Sequence, residues 1–86
     1  MATISELRKK INKIDESIIK KLSARKKFAI KIGKIKEKLK IKVTDNKREK
    51  ELMQFYKKLS NEHELQPEFI KKLFKMIIAN SRKLQK

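Results

Sequence analysis

Three cations and one carboxylate interrupt an otherwise apolar line in the first half of the chain. Arg8, Ile11, Asp15, Ile18, Leu22, Arg25, Ala29, Ile32 and Lys36 follow one another at steps of three and four residues, the spacing that stacks side chains on one face of an α-helix. Two further lines share the pattern. Ser81 and Gln85 continue the series Ile70, Leu73, Ile77, and Glu49 precedes Leu52, Tyr56 and Leu59. Taken singly, each polar residue has a plain structural account: Arg8 and Lys36 can snorkel from the ends of a stripe, Arg25 can pair with a carboxylate, and Ser81 and Gln85 can belong to a terminal turn. Together they leave a charge imbalance, because buried cations without partners cost several kcal/mol and Glu49 and Asp15 are too few to neutralise the set. An anionic ligand would correct it. Two guanidinium forks, an ammonium, a neutral amide and one carboxylate describe a pocket for a dianion that also carries a hydroxyl.

The elements that must position these residues are helices. The chain has one glycine and one proline, so hairpin signals are absent and helices joined by short loops are favoured. Thr3-x-x-Glu6 forms a capping-box pattern, and apolar residues then recur from Ile4 and Leu7 to Ile35 and Leu39, which predicts a first helix from about residue 4 to 40. At about 1.5 Å per residue it would be roughly 55 Å long, more than the rest of so small a domain can cover, so it requires a partner. Thr44 or Asp45 can cap a second helix carrying Leu52, Phe55, Tyr56 and Leu59. Asn61 to Gln66 reads as a loop, and Pro67 opens a third helix with Phe69, Ile70, Leu73, Phe74, Ile77 and Ile78. The expected fold is all-α, a single domain over residues 1–86 made of one very long helix and two shorter ones.

Arg8 and Lys36 would stand roughly 42 Å apart along that first helix, whereas Arg25 and Lys36 would be about 16 Å apart. No small dianion touches both members of the first pair. If Arg8 serves a site at all, it must therefore serve one built mainly by another chain, and a two-fold homodimer with two shared sites is the simplest closure.

Composition narrows the classes of function. The 86 residues hold no cysteine and a single histidine, His63, which removes disulfide frameworks and the usual metal-ligand sets, so no metal is expected. There is no apolar stretch approaching the ~20 residues of a membrane span and no secretory h-region at the N-terminus; a cytoplasmic protein is expected. The net charge of +16, from 26 Lys and Arg against 10 Asp and Glu, would suit nucleic acid, an anionic membrane surface or a small anionic substrate. The lysines surround every helix instead of marking one, and no DNA-binding motif appears. A pure coiled-coil module would want apolar residues where the inward charges fall.

The ordered set Leu7-Arg8, Ile14-Asp15, Arg25, Ile32-Gly33-Lys34-Ile35-Lys36, Val43-Thr44-Asp45-Asn46-Lys47-Arg48-Glu49, Ile77-Ile78, Ser81 and Gln85 resembles the all-helical chorismate mutases of the small monofunctional type. The resemblance covers nearly the whole chain. It implies a cofactor-free isomerase that rearranges chorismate to prephenate in phenylalanine and tyrosine biosynthesis, built as an intertwined homodimeric helical bundle. By the same resemblance Arg8 and Arg25 bind the two substrate carboxylates with Ser81 assisting, and Lys36 and Gln85 donate hydrogen bonds to the ether oxygen. Glu49 holds the ring hydroxyl, Asp45 contributes near that end of the site, and Arg48 lines or braces the pocket. One departure is the missing proline before Asp45, where relatives often have one. An isochorismate pyruvate lyase would use a similar pocket on the same fold, and a basic nucleic-acid-binding module is the alternative from another class.

Catalysis and bulk charge can be separated at Arg25. Arg25→Lys keeps the net charge of +16 but replaces a planar fork with a point charge. It should lower kcat/KM for chorismate at least tenfold while leaving retention on a cation exchanger nearly unchanged; unaltered turnover would remove Arg25 from the site.

Overall fold

The computed structural model describes residues 1–85, in which three α-helices, α1 (Ile4–Leu39), α2 (Asn46–Glu62) and α3 (Pro67–Gln85), account for nearly all of the chain. The first helix starts where its capping box predicts: the Thr3 hydroxyl accepts from the Glu6 N–H at 3.1 Å and the Glu6 carboxylate accepts from the Thr3 N–H at 3.4 Å, satisfying donors that have no partner inside the helix. It ends at Lys40, whose φ of 54° is left-handed. There the Ile41 N–H returns to the Lys36 carbonyl at 2.8 Å and the Lys40 N–H to that of Glu37. This Schellman closure is made without the usual glycine.

Asp45, of the two candidates, caps α2: its side chain accepts from the Arg48 N–H at 3.0 Å. The far end of α2 corrects the expected loop from Asn61 to Gln66, because Asn61 and Glu62 are still helical. A second glycine-free Schellman turn sets the stop, with Glu64 at φ 57° and the Leu65 N–H bonded to the Ser60 carbonyl at 2.8 Å. Left-handed backbone disfavours residues other than glycine, so the sequence carries no marker there. Ser60 is buried in this last part of α2 and its hydroxyl donates within the helix to the Tyr56 carbonyl at 2.6 Å.

The third helix is the one that packs against both others. Its Phe74 stacks on Tyr56 of α2 with ring centroids 4.0 Å apart, and its Ile78 and Ser81 are buried beside Ala29 and Gly33 of α1. These contacts engage only the C-terminal half of α1. Ile4, Leu7, Ile11, Ile14, Ile18 and Ile19 are all exposed, so the N-terminal half projects as an apolar arm and the molecule measures 57 × 24 × 15 Å. Its radius of gyration is 16.3 Å, against about 12 Å for a compact domain of this length. The accessible surface of 7962 Å² likewise exceeds the roughly 5,400 Å² expected of a compact monomer of this mass.

Candidate active site

A cleft of about 540 Å³ opens where the three helices meet. The C-terminal half of α1 supplies Arg25, Ala29, Ile32 and Lys36; the connection to α2 supplies Val43 and Asp45; α2 supplies Arg48, Glu49, Leu52 and Tyr56; and α3 supplies Ile78, Ser81 and Gln85. Every site residue expected from the sequence lies on this cleft except Arg8. That residue sits on the projecting arm, about 25 Å along the helix axis from Arg25.

The cations are held by hydrogen bonds that leave part of their donor capacity free. Arg25 donates through Nη1 to Ser81 Oγ, and the Ser81 hydroxyl donates in turn to the Ile77 carbonyl at 3.0 Å. Ser81 is thus an orienting group for the guanidinium, buried at 9% exposure. Lys36 Nζ donates to the Val43 carbonyl at 2.9 Å and to Gln85 Oε1 at 3.0 Å. An ammonium has three donors, so one N–H remains for a ligand. Because Lys36 occupies the oxygen of the Gln85 amide, its NH₂ is the end left to donate. Lys36 and Gln85 thus meet from different helices at one end of the cleft, and donors grouped in this way are suited to stabilise negative charge on a ligand oxygen.

The acidic residues are also engaged. Asp45 accepts from the Arg48 N–H through Oδ1, capping α2, and also lines the cleft. Glu49 receives Arg82 Nη2 at both carboxylate oxygens, an ion pair that joins α2 to α3. Arg82 was not among the residues singled out from the sequence. It follows Phe74 and Ile78 at steps of four, the same inward-charge pattern that marked Arg25, but among the lysines of α3 it did not stand out. The Val43 carbonyl is a backbone group and has no side-chain signature at all.

Gly33 determines how near α3 comes. A Cβ at this position would lie 2.7 Å from the Cα of Gln85 and 2.9 Å from its carbonyl oxygen, closer than a methyl group can approach backbone. The missing side chain lets the last turn of α3 rest on α1 one helical turn before Lys36, which brings Gln85 within reach of the ammonium.

The model of the family described as chorismate mutase type II matches residues 7–86. The chain belongs to this family. It is 35% identical over 83 residues to a chorismate mutase of Methanocaldococcus jannaschii, covering 96% of this chain and 84% of that protein. It is also 35% identical over 75 residues to the bifunctional chorismate mutase/prephenate dehydratase of Escherichia coli K12, covering 87% of this chain and 19% of the relative. The bifunctional enzyme of Aquifex aeolicus is 39% identical over 62 residues, covering 72% of this chain and 17% of the relative. The chain thus spans most of one type of chorismate mutase and about a fifth of the bifunctional type. No helix among the described residues is long and apolar enough to cross a membrane.

The seat at Gly33 can be tested directly in this chorismate mutase family member. Gly33→Ala gains about 1 kcal/mol of helix propensity but overpacks backbone against a methyl group, which costs about 1–3 kcal/mol. The net change in Tm should be a modest fall, while the NMR resonances of the Gln85 side-chain amide shift as the end of α3 is displaced. An unmoved amide would show that the close approach does not position Gln85.

Proposed function

We propose that the chain is a chorismate mutase, converting chorismate to prephenate without a cofactor, and that it does so as a homodimer. The observation that carries the activity is the convergence of Lys36 and Gln85 at one end of a cleft whose other end holds the Arg25 guanidinium on Ser81. The rearrangement is unimolecular: a C–O bond breaks as a C–C bond forms, and no atom is gained or lost. Such a step needs the flexible substrate held in its folded, reactive conformer and donors placed where charge grows on the ether oxygen. Arg25, oriented by Ser81, binds one carboxylate as a planar fork. The free N–H of Lys36 and the amide NH₂ of Gln85 meet the ether oxygen. Glu49 accepts from the ring hydroxyl, Arg48 lines that side of the cleft, and Asp45 braces it.

The second carboxylate is bound by Arg8 of the partner subunit. Two features support this. The arm that carries Arg8 exposes its apolar stripe, and an apolar groove of about 330 Å³ between α1 and α3, lined by Leu22, Leu73, Met76 and Leu84, adjoins Arg25 and Ser81. An arm from a second copy laid along this groove would cover both. The surface beyond that of a compact monomer, about 2,600 Å² per chain, is the scale that obligate homodimers bury.

The activity is tested by following loss of chorismate absorbance and formation of prephenate with purified protein and no added metal or cofactor; chorismate left untouched would end the proposal. The shared site is tested by complementation. Arg8→Ala and Lys36→Ala homodimers should each be nearly inactive, yet a mixed dimer has one site with both defects and one with none. Joint refolding of equal amounts makes about half the dimers mixed, so about a quarter of wild-type activity should return. Activity that stays at the level of the separate mutants, each first shown to dimerise, would remove Arg8 from the site.

A further inference from the structure

Glu49 and Arg82 stand in an unequal relation to the cleft. Glu49 is among its lining residues and Arg82 is not, although the two are bonded through Nη2 and both carboxylate oxygens. The Glu49 side chain is 22% exposed and that of Arg82 40%, so the arginine backs the carboxylate from α3. A cation behind a carboxylate can hold its orientation without filling the cleft. A carboxylate has about four lone-pair positions, and one nitrogen of Arg82 leaves acceptor capacity on the ligand side. The pair also limits where the carboxylate can point, because Arg82 is fixed to the same helix as Ser81 and Gln85.

We propose that Arg82 is a positioning residue for the substrate ring hydroxyl: it holds Glu49 aimed across the cleft, and so gives the site its preference for a dianion that also carries a hydroxyl. The proposal rests on the reading of the cleft as a chorismate site with Glu49 at the hydroxyl. Arg82 touches no substrate atom and acts through Glu49 alone. Its influence is therefore confined to ligands with a hydroxyl to donate, which separates this role from that of a simple tie between α2 and α3. A tie would affect every substrate alike.

The experiment compares chorismate with an analogue in which hydrogen replaces the ring hydroxyl, using wild-type protein and Arg82→Gln. The variant should lose tenfold or more in kcat/KM for chorismate, mainly through a higher KM, because the hydroxyl contact is made in the ground state and persists. For the analogue the same substitution should change kcat/KM by less than about threefold. Arg82→Lys, which retains a cation, should recover most of the loss on chorismate. Equal losses on both substrates, or no loss on chorismate, overturn the proposal while leaving the mutase reading in place. Wild-type protein inactive on chorismate overturns both. Should Arg82→Gln fail to fold by circular dichroism, Arg82→Leu, which keeps the aliphatic stem's packing without the charge, takes its place; failure of both to fold makes Arg82 a structural tie and also overturns the proposal.

Discussion

The approach of the last turn of α3 to Gly33 is the contact on which the rest of the cleft depends. It puts the backbone of Gln85 where a side chain on α1 would otherwise be, and α3 is the element that packs against both other helices. Tyr56 and Phe74 close the α2 side of the same core. Once α3 is seated, Ser81 reaches Arg25, Gln85 reaches Lys36 and Arg82 reaches Glu49. Three polar links thus follow from one packing geometry, each joining α3 to a residue on a different helix or a different turn of α1.

These links also explain how a strongly cationic chain keeps ionic groups at a partly buried site without a ligand. Three of the charged groups are tied to a dipole or to an opposite charge: Arg25 to a hydroxyl, Lys36 to a backbone carbonyl and an amide oxygen, Glu49 to a guanidinium. None has all its hydrogen-bonding capacity used. Groups already held in place lose little freedom when a ligand arrives, and that preorganisation is what makes oriented donors effective at a reacting centre.

The long first helix imposes a second constraint. Its N-terminal half is well capped and regularly patterned, yet its own chain offers nothing to cover Ile4, Leu7, Ile11, Ile14 and Ile18. A helix this far from its own core is held by propensity and capping alone, which are weak beside tertiary burial. The association proposed for the arm would supply that burial and carry Arg8 to the cleft of a second copy, its own lying about 25 Å away along the helix axis.

By itself the sequence determined the all-helical class, the start of α1 at Thr3, the placement of Pro67 in the first turn of α3, and the inward-facing set of Arg25, Lys36, Glu49, Ser81 and Gln85. All of these rest on local periodicity and capping, which depend on residues a few positions apart. Tertiary structure decided the rest. Which residue pairs with Glu49 depends on how α3 is rotated against α2, and Arg82 has no local mark to distinguish it from its basic neighbours. The stop of α2 beyond Asn61 and Glu62 depends on Glu64 taking a left-handed conformation without glycine. The role of the Val43 carbonyl arises from where the backbone passes after α1 ends, and the role of Gly33 from the depth at which α3 is seated. Periodicity tells which face of a helix turns inward; only the packed structure sets the rotation and distance at which two such faces meet.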